Sequence, residues 1–294
     1  VIVYPAHGAG SSCGKSLGPA TSCTIGNQKK SNYALQPQSR EDFIKAVTDG
    51  LGKAPVYFAI NAKMNQIGYD DVDMVAQNGV KPLAINEFKE KMENGAIILD
   101  TRNATVFTQG FVPGSISIGL EGRFAEWAGN LIPYNQTIIL VTETGKEMES
   151  AIRLARVGFD KMEGVLSGGF DAWKNAGEEI DMIIDVEADE LMMDLPHDPN
   201  LLVLDVRNET EFAQGHLENA NHFSLRDMTD ILRLAQFEDH DNMYVHCAGG
   251  YRSVIACSLL KRQGIHNLRN VLGGWAKIKN EPGVKIVTGA PELN

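Results

Sequence analysis

Ile97-Ile98-Leu99-Asp100-Thr101-Arg102-Asn103 and Leu202-Val203-Leu204-Asp205-Val206-Arg207-Asn208 are two versions of one pattern, an apolar run closed by Asp-x-Arg-Asn. The register carries forward. Phe107 meets Phe212, Gln109-Gly110 meets Gln214-Gly215, and Gly168-Gly169-Phe170 meets Gly273-Gly274-Trp275, each at an offset of 105 residues. One register held from Ile97 to Phe170 marks a tandem duplication.

Each repeat reads as α/β. A short helix (Asn86 to Asn94; Glu187 to Leu195) precedes a buried strand (Ala96 to Asp100; Leu201 to Asp205). A second apolar strand (Thr137 to Val141; Asn242 to His246) leads to a helix (Met148 to Val157; Val254 to Gln263), and a Gly-Gly pair opens a last helix. Strands alternating with helices predict a parallel sheet flanked by helices. Ligands of such sheets sit at the carboxyl ends of the strands. The expected division is 1–80, 81–180 and 181–294, with residues 1–80 outside the repeat and Ala54 to Val80 a mixed connector. A helix is expected from Glu41 to about Gly50.

Composition narrows the function classes. The chain has 294 residues, room for about two domains of ~150 residues. Its formal net charge of −11 argues against a nucleic-acid backbone or an anionic membrane as the main partner. No apolar run reaches the roughly 20 residues of a membrane span. Four cysteines, at 13, 23, 247 and 257, are too few for a disulfide scaffold and predict a reducing, cytoplasmic setting. Val1-Ile2-Val3-Tyr4 reads as a strand entered mid-domain, so a C-terminal piece of a longer protein is expected.

The chemistry concentrates in Val245-His246-Cys247-Ala248-Gly249-Gly250-Tyr251-Arg252-Ser253, a strand end, a tight loop and a helix start. Inward-pointing backbone amides and the helix N-terminus favour an anion there, and the glycines permit the curl. A thiolate at Cys247 is the best nucleophile in the chain, with Arg252 as a positive charge for an anionic substrate. The plain alternative is a buried, inert cysteine. A Cys-dependent phosphatase would need arginine six positions after the cysteine, where Ser253 stands; Arg252 is one short.

The loop Cys247 to Ser253 closely resembles the active-site loop of rhodanese-domain sulfurtransferases. Leu204-Asp205-Val206-Arg207, Phe212 with Gly215-His216, and Val271-Leu272-Gly273-Gly274-Trp275 follow the family's order across roughly 184 to 284. The resemblance implies that Cys247 takes the outer sulfur of thiosulfate or a persulfide. The sulfur then passes to an acceptor such as a thiol or cyanide. Residues Ala248, Gly249, Gly250, Tyr251 and Ser253 would form the substrate loop. Ala248 stands where many members carry a basic residue, which leaves a small organic persulfide as a donor beside thiosulfate.

Residues 82 to 178 resemble the same domain through Gly110-Phe111-Val112-Pro113-Gly114-Ser115 and Val165-Leu166-Ser167-Gly168-Gly169-Phe170. There Thr142 stands at the Cys247 position and Glu147 at that of Arg252, so this repeat is expected to be inactive. Tyr4-Pro5-Ala6-His7-Gly8-Ala9-Gly10-Ser11, with Thr24-Ile25-Gly26 and Asn32-Tyr33-Ala34-Leu35, resembles the C-terminal end of a metallo-β-lactamase-fold domain. More narrowly it resembles the persulfide dioxygenase branch that precedes two rhodanese domains. That resemblance implies iron (or zinc) in a preceding domain, none held by this chain alone, with His7 at the place of the superfamily's last metal-site histidine, its fellow ligands absent here, and Cys13 as a sulfur relay. The fold expected is thus two tandem rhodanese-like α/β domains after such a remnant.

The remaining residues read as structural. Cys23 and Cys257 are expected to be inert, and His246 to point away from the thiol. Asp205, Arg207 and His216 are expected to fix loops, Asp181 to Asp198 to be a solvated linker and helix, and Trp173 and Trp275 to be core. Expected partners are small-molecule sulfur donors, thiol acceptors and the preceding domain, with a homo-oligomer compatible. The alternative function is a non-catalytic docking module for a metallo-β-lactamase-fold hydrolase or a sulfur carrier.

Overall fold

A computed structural model of the chain describes residues 1–4, 20–48, 55, 57–237 and 242–289. The chain forms two compact units, Val1–Ala54 and Pro55–Asn294. In the first, strand Ile2–Val3 pairs antiparallel with Cys23–Thr24. Thr24 then caps helix Ile25–Ser31 by accepting from the Asn27 amide at 3.1 Å, and a second helix spans Arg40–Thr48.

The second unit holds both repeats, each a five-stranded parallel sheet. The first sheet runs, edge to edge, Ile116–Ser117, Ile97–Asp100, Ile138–Val141, Met162–Leu166 and Pro82–Leu83. The second repeats that order with Asn221–His222, Leu201–Asp205, Asn242–His246, Leu268–Val271 and Ile184–Val186. The central strands are continuous apolar runs because both faces are covered: every residue of Ile97–Asp100 and Ile138–Val141 is buried. Two tandem α/β domains of matching topology are therefore the architecture.

Three segments depart from the sequence reading. The stretch expected to be a connector carries helices Tyr57–Ile67 and Val72–Gly79. The latter buries Val75, Ala76 and Gly79 against helix Glu147–Ala155 and strand Met162–Leu166, so these helices belong to the body of the second unit. The acidic stretch from Asp181 includes the edge strand Ile184–Val186, where only Val186 is buried. Trp275 is half-buried rather than core, whereas Trp173 is buried as expected.

The helix after Cys247 spans Tyr251–Arg262, three residues earlier than its apolar spacing suggests. Gly250, at φ +104°, turns the chain into it. Ser253 through Leu260 are all buried, because this helix covers its own sheet and also packs on edge strand Ile116–Ser117 of the first repeat. The Ser117 amide donates to Ser258 Oγ at 3.0 Å across that contact. One apolar cluster consequently runs through both repeats, and each sheet has a separate cluster on its other face. Among the described residues no helix is long and apolar enough to cross a membrane.

Candidate active site

The Asp-x-Arg pattern that revealed the duplication is a buried ionic fork. Arg207 places Nε 2.9–3.0 Å from both Asp205 oxygens and Nη2 2.6 Å from Oδ2, while Nη2 also donates to the Gly215 carbonyl at 2.8 Å. Its guanidinium lies 4.7 Å from the centroid of a Trp275 ring. Arg102 repeats every contact with Asp100, Gly110 and Phe170. The motif thus ties the end of the first strand to the Gly-Gly loop, as the loop-fixing role predicted.

That loop in turn shapes the one bearing Cys247. Trp275 N–H donates to the Cys247 carbonyl at 2.7 Å and Ala276 N–H to that of Ala248 at 3.0 Å. Gly274 approaches so closely that a Cβ there would lie 2.2 Å from the Cys247 oxygen. Held this way, Cys247 is buried at the carboxyl end of strand Asn242–His246. The Gly250 amide donates to its Sγ at 3.1 Å, and Ser253 Oγ lies 3.6 Å from the sulfur while donating to the Gly250 carbonyl.

Cys247, Ala248, Gly249, Gly250, Tyr251 and Arg252 face a cleft of about 710 Å³, and Ser253 sits buried beneath them. The opposite wall comes from the first repeat, through Asn103, Thr105, the Gly119–Arg123 turn and Trp127. Tyr251 spans the two walls: its hydroxyl donates to the Gly119 carbonyl at 2.7 Å, and its ring covers Gly122. Burial raises the Tyr251 phenol, keeping it a neutral donor.

Arg252, expected from the sequence to offer positive charge to an anionic substrate, already has a carboxylate partner. It forks onto Glu211, with Nη1 2.6 Å from Oε2 and Nη2 2.7 Å from Oε1. Glu211 also closes a capping box with Asn208 at the start of helix Glu209–Ala213. The hydrogen bond from Arg252 holds the Glu211 carboxyl below its ordinary range against the opposing effect of burial. Asn208-x-x-Glu211 is readable as a cap, but its pairing with Arg252 has no local signal.

His246 is buried, with Nδ1 3.3 Å from the Cys247 carbonyl and Nε2 3.8 Å from Asp205. Its ring therefore lies away from the thiol, as strand alternation predicted, and burial holds it below the usual histidine range. His216 bonds the Phe212 carbonyl at 2.9 Å. Cys257 is core, its thiol pushed up by burial. Cys23 is half-buried in the first unit. In the first repeat, Thr142 is buried where Cys247 stands, and Glu147 accepts from the Gly145 amide at 3.1 Å.

His7 and Cys13 lie outside the described residues. Among the described residues no group of three or more His, Cys, Asp or Glu could hold a metal ion, so those residues do not fit an iron or zinc site.

The sulfurtransferase of Allochromatium vinosum is 26% identical over 99 residues, 33% of this chain and 91% of its own length. YrkF of Bacillus subtilis is 26% identical over 101 residues, 34% of this chain and 54% of its own length, so the chain spans about half of that relative. A solved metallo-beta-lactamase structure from Staphylococcus aureus is 26% identical, with 57% of this chain and 45% of that chain covered and a TM-score of 0.43. A model of the Rhodanese-like domain matches residues 84–176 and again residues 187–281. With both repeats matched, the chain belongs to the Rhodanese-like domain family and carries two copies of that domain.

Proposed function

We propose that this chain is a sulfurtransferase that moves sulfane sulfur from thiosulfate or a low-molecular-weight persulfide to a thiol acceptor through a persulfide on Cys247. The observation that carries the reading is the Gly250 amide 3.1 Å from Sγ, at a strand end that opens into the cleft. An amide donor at that distance stabilises negative charge on sulfur, both in the attacking thiolate and in the persulfide that follows.

The Cys247 thiolate attacks the outer sulfur of the donor. The donor's S–S bond breaks, and sulfite or a thiolate leaves with the electron pair. Cys247 then carries the terminal sulfur, which an acceptor thiolate attacks in the second half-reaction, restoring the Cys247 thiolate. Ser253 Oγ accepts from the resting Cys247 thiol at 3.6 Å. The first repeat has no thiol at this place and serves as the far wall of the cleft.

In an intact protein this transfer is coupled to metal-dependent persulfide oxidation in a preceding metallo-β-lactamase-like domain. The resemblance of the N-terminal stretch supports that coupling. No step above runs through that metal.

The test is intact-protein mass spectrometry after brief exposure to thiosulfate or glutathione persulfide. A gain of one sulfur that maps to Cys247, and is lost in a folded Cys247→Ser variant, is expected. Transfer that survives Cys247→Ser would falsify the mechanism. No gain from either donor moves the docking-module reading to first place.

A further inference from the structure

A guanidinium beside a cysteine loop is a ready anchor for an anion, yet both guanidinium groups lining this cleft are already paired. Arg252 forks onto Glu211 at 2.6 and 2.7 Å, and Arg123 Nε lies 2.5 Å from Glu126. Two further carboxylates of the lining, Glu121 and Asp185, are held by the neutral donors Asn103, Thr108 and Asn270. Neither meets a lysine or arginine within ion-pair distance among the described residues. The charge on Glu211 is also more than its cap requires, since glutamine closes the same capping box.

Resting on the reading that Cys247 accepts sulfane sulfur, we propose that Glu211 sets the donor class: by neutralising Arg252 it favours an organic persulfide and disfavours thiosulfate. Thiosulfate is a dianion. It enters a cleft where Glu121 and Asp185 have no ion-pair partner among the described residues and where the Arg252 guanidinium is already engaged by Glu211. Drawing Arg252 onto the donor would strip Glu211 of its partner, with its side chain only 31% exposed to water. A persulfide on an uncharged organic group brings at most one negative charge, on its terminal sulfur, against the two of thiosulfate. A cleft of about 710 Å³ has room for the organic group. The transfer balances: the Cys247 thiolate and R–S–SH give Cys247–S–SH and RS⁻, which takes a proton from water.

The experiment follows sulfur gain on Cys247 in single turnover, with thiosulfate and with 2-hydroxyethyl persulfide, in the wild-type chain and in Glu211→Gln. Glutamine keeps the cap and removes the charge. The ratio of thiosulfate to persulfide rate constants is expected to rise at least roughly fivefold in Glu211→Gln, through a lower half-saturating thiosulfate concentration. An unchanged ratio, or a parallel fall with both donors, overturns the proposal. Salt supplies a readout that needs no variant. The wild-type thiosulfate constant is expected to stay flat or rise between low and moderate ionic strength; a fall, as for an attracted dianion, overturns the assignment. Sulfur on Cys247 from neither donor overturns the sulfurtransferase reading and this inference together, whereas transfer with the wrong ratio or salt response overturns this inference alone.

Discussion

The Tyr251 hydroxyl, four residues beyond Cys247, donates a 2.7 Å hydrogen bond to the Gly119 carbonyl of the other repeat. The nucleophile-bearing loop is therefore fastened to the domain that lacks a nucleophile. Further polar contacts between the repeats, Arg262 to the Gly114 carbonyl and Arg226 to Glu126, lie along the same boundary.

Removing that fastening has a predictable cost. Tyr251→Phe is expected to lose about 1–2 kcal/mol of stability, because a partly buried hydrogen bond is broken and the buried Gly119 carbonyl loses its donor. Gly122→Ala should lose about 1–3 kcal/mol, since its Cβ would fall 2.2 Å from the Tyr251 ring. Urea unfolding of both variants checks this. Wild-type stability in either would show that the contact carries no load.

Gly274 offers a sharper contrast. Its φ of +54° and ψ of −145° suit glycine, and its missing Cβ leaves room for the Cys247 carbonyl. Gly274→Ala is expected to cost about 3 kcal/mol or more and to suppress sulfur uptake. Gly283→Ala, at φ +80° with no atom within 4 Å, should cost only about 1–2 kcal/mol of backbone strain. Equal losses in the two variants would contradict the close approach.

The Glu211–Arg252 pair predicts an acid response. The hydrogen bond from Arg252 lowers the Glu211 carboxyl, so its stabilisation is fully present above the value of a free glutamate, about pH 4.3. It is lost as pH falls through the lower folded-state value. The stability gap between wild type and Glu211→Gln should thus be largest at pH 6 and shrink toward pH 3.5, as measured by denaturant melts. A gap that widens in acid would reverse the assignment.

Cys257 and Cys247 should behave differently toward alkylation. Burial raises the Cys257 thiol, and the side chain lies wholly within the shared core, so iodoacetamide should reach it only after unfolding. Cys247 faces the cleft and should react in the native protein. Peptide mapping after native and denatured labelling decides the matter; equal labelling of both under native conditions would rule it out.

Much of the site was legible because its parts are close in sequence. Asp205 and Arg207 pair across one intervening residue, and Gly250 turns the chain three residues after the thiol whose sulfur it meets. The segments that were misread lacked such local signals. Helix Val72–Gly79 buries a short stripe that acquires meaning only beside Met162, and Ile184–Val186 is an edge strand with a single buried residue. The pairing of Arg252 was not legible, because Glu211 lies 41 residues away in the chain.

Duplication, parallel sheets and the cysteine loop follow from periodicity and short spacings, which backbone geometry converts directly into strands, turns and a helix N-terminus. The far wall of the cleft, the fork that neutralises Arg252 and the grip of Gly119 on Tyr251 follow from how the two sheets pack. Those contacts join residues 41 to 132 positions apart, and no local propensity encodes a distance that is set by the shared core.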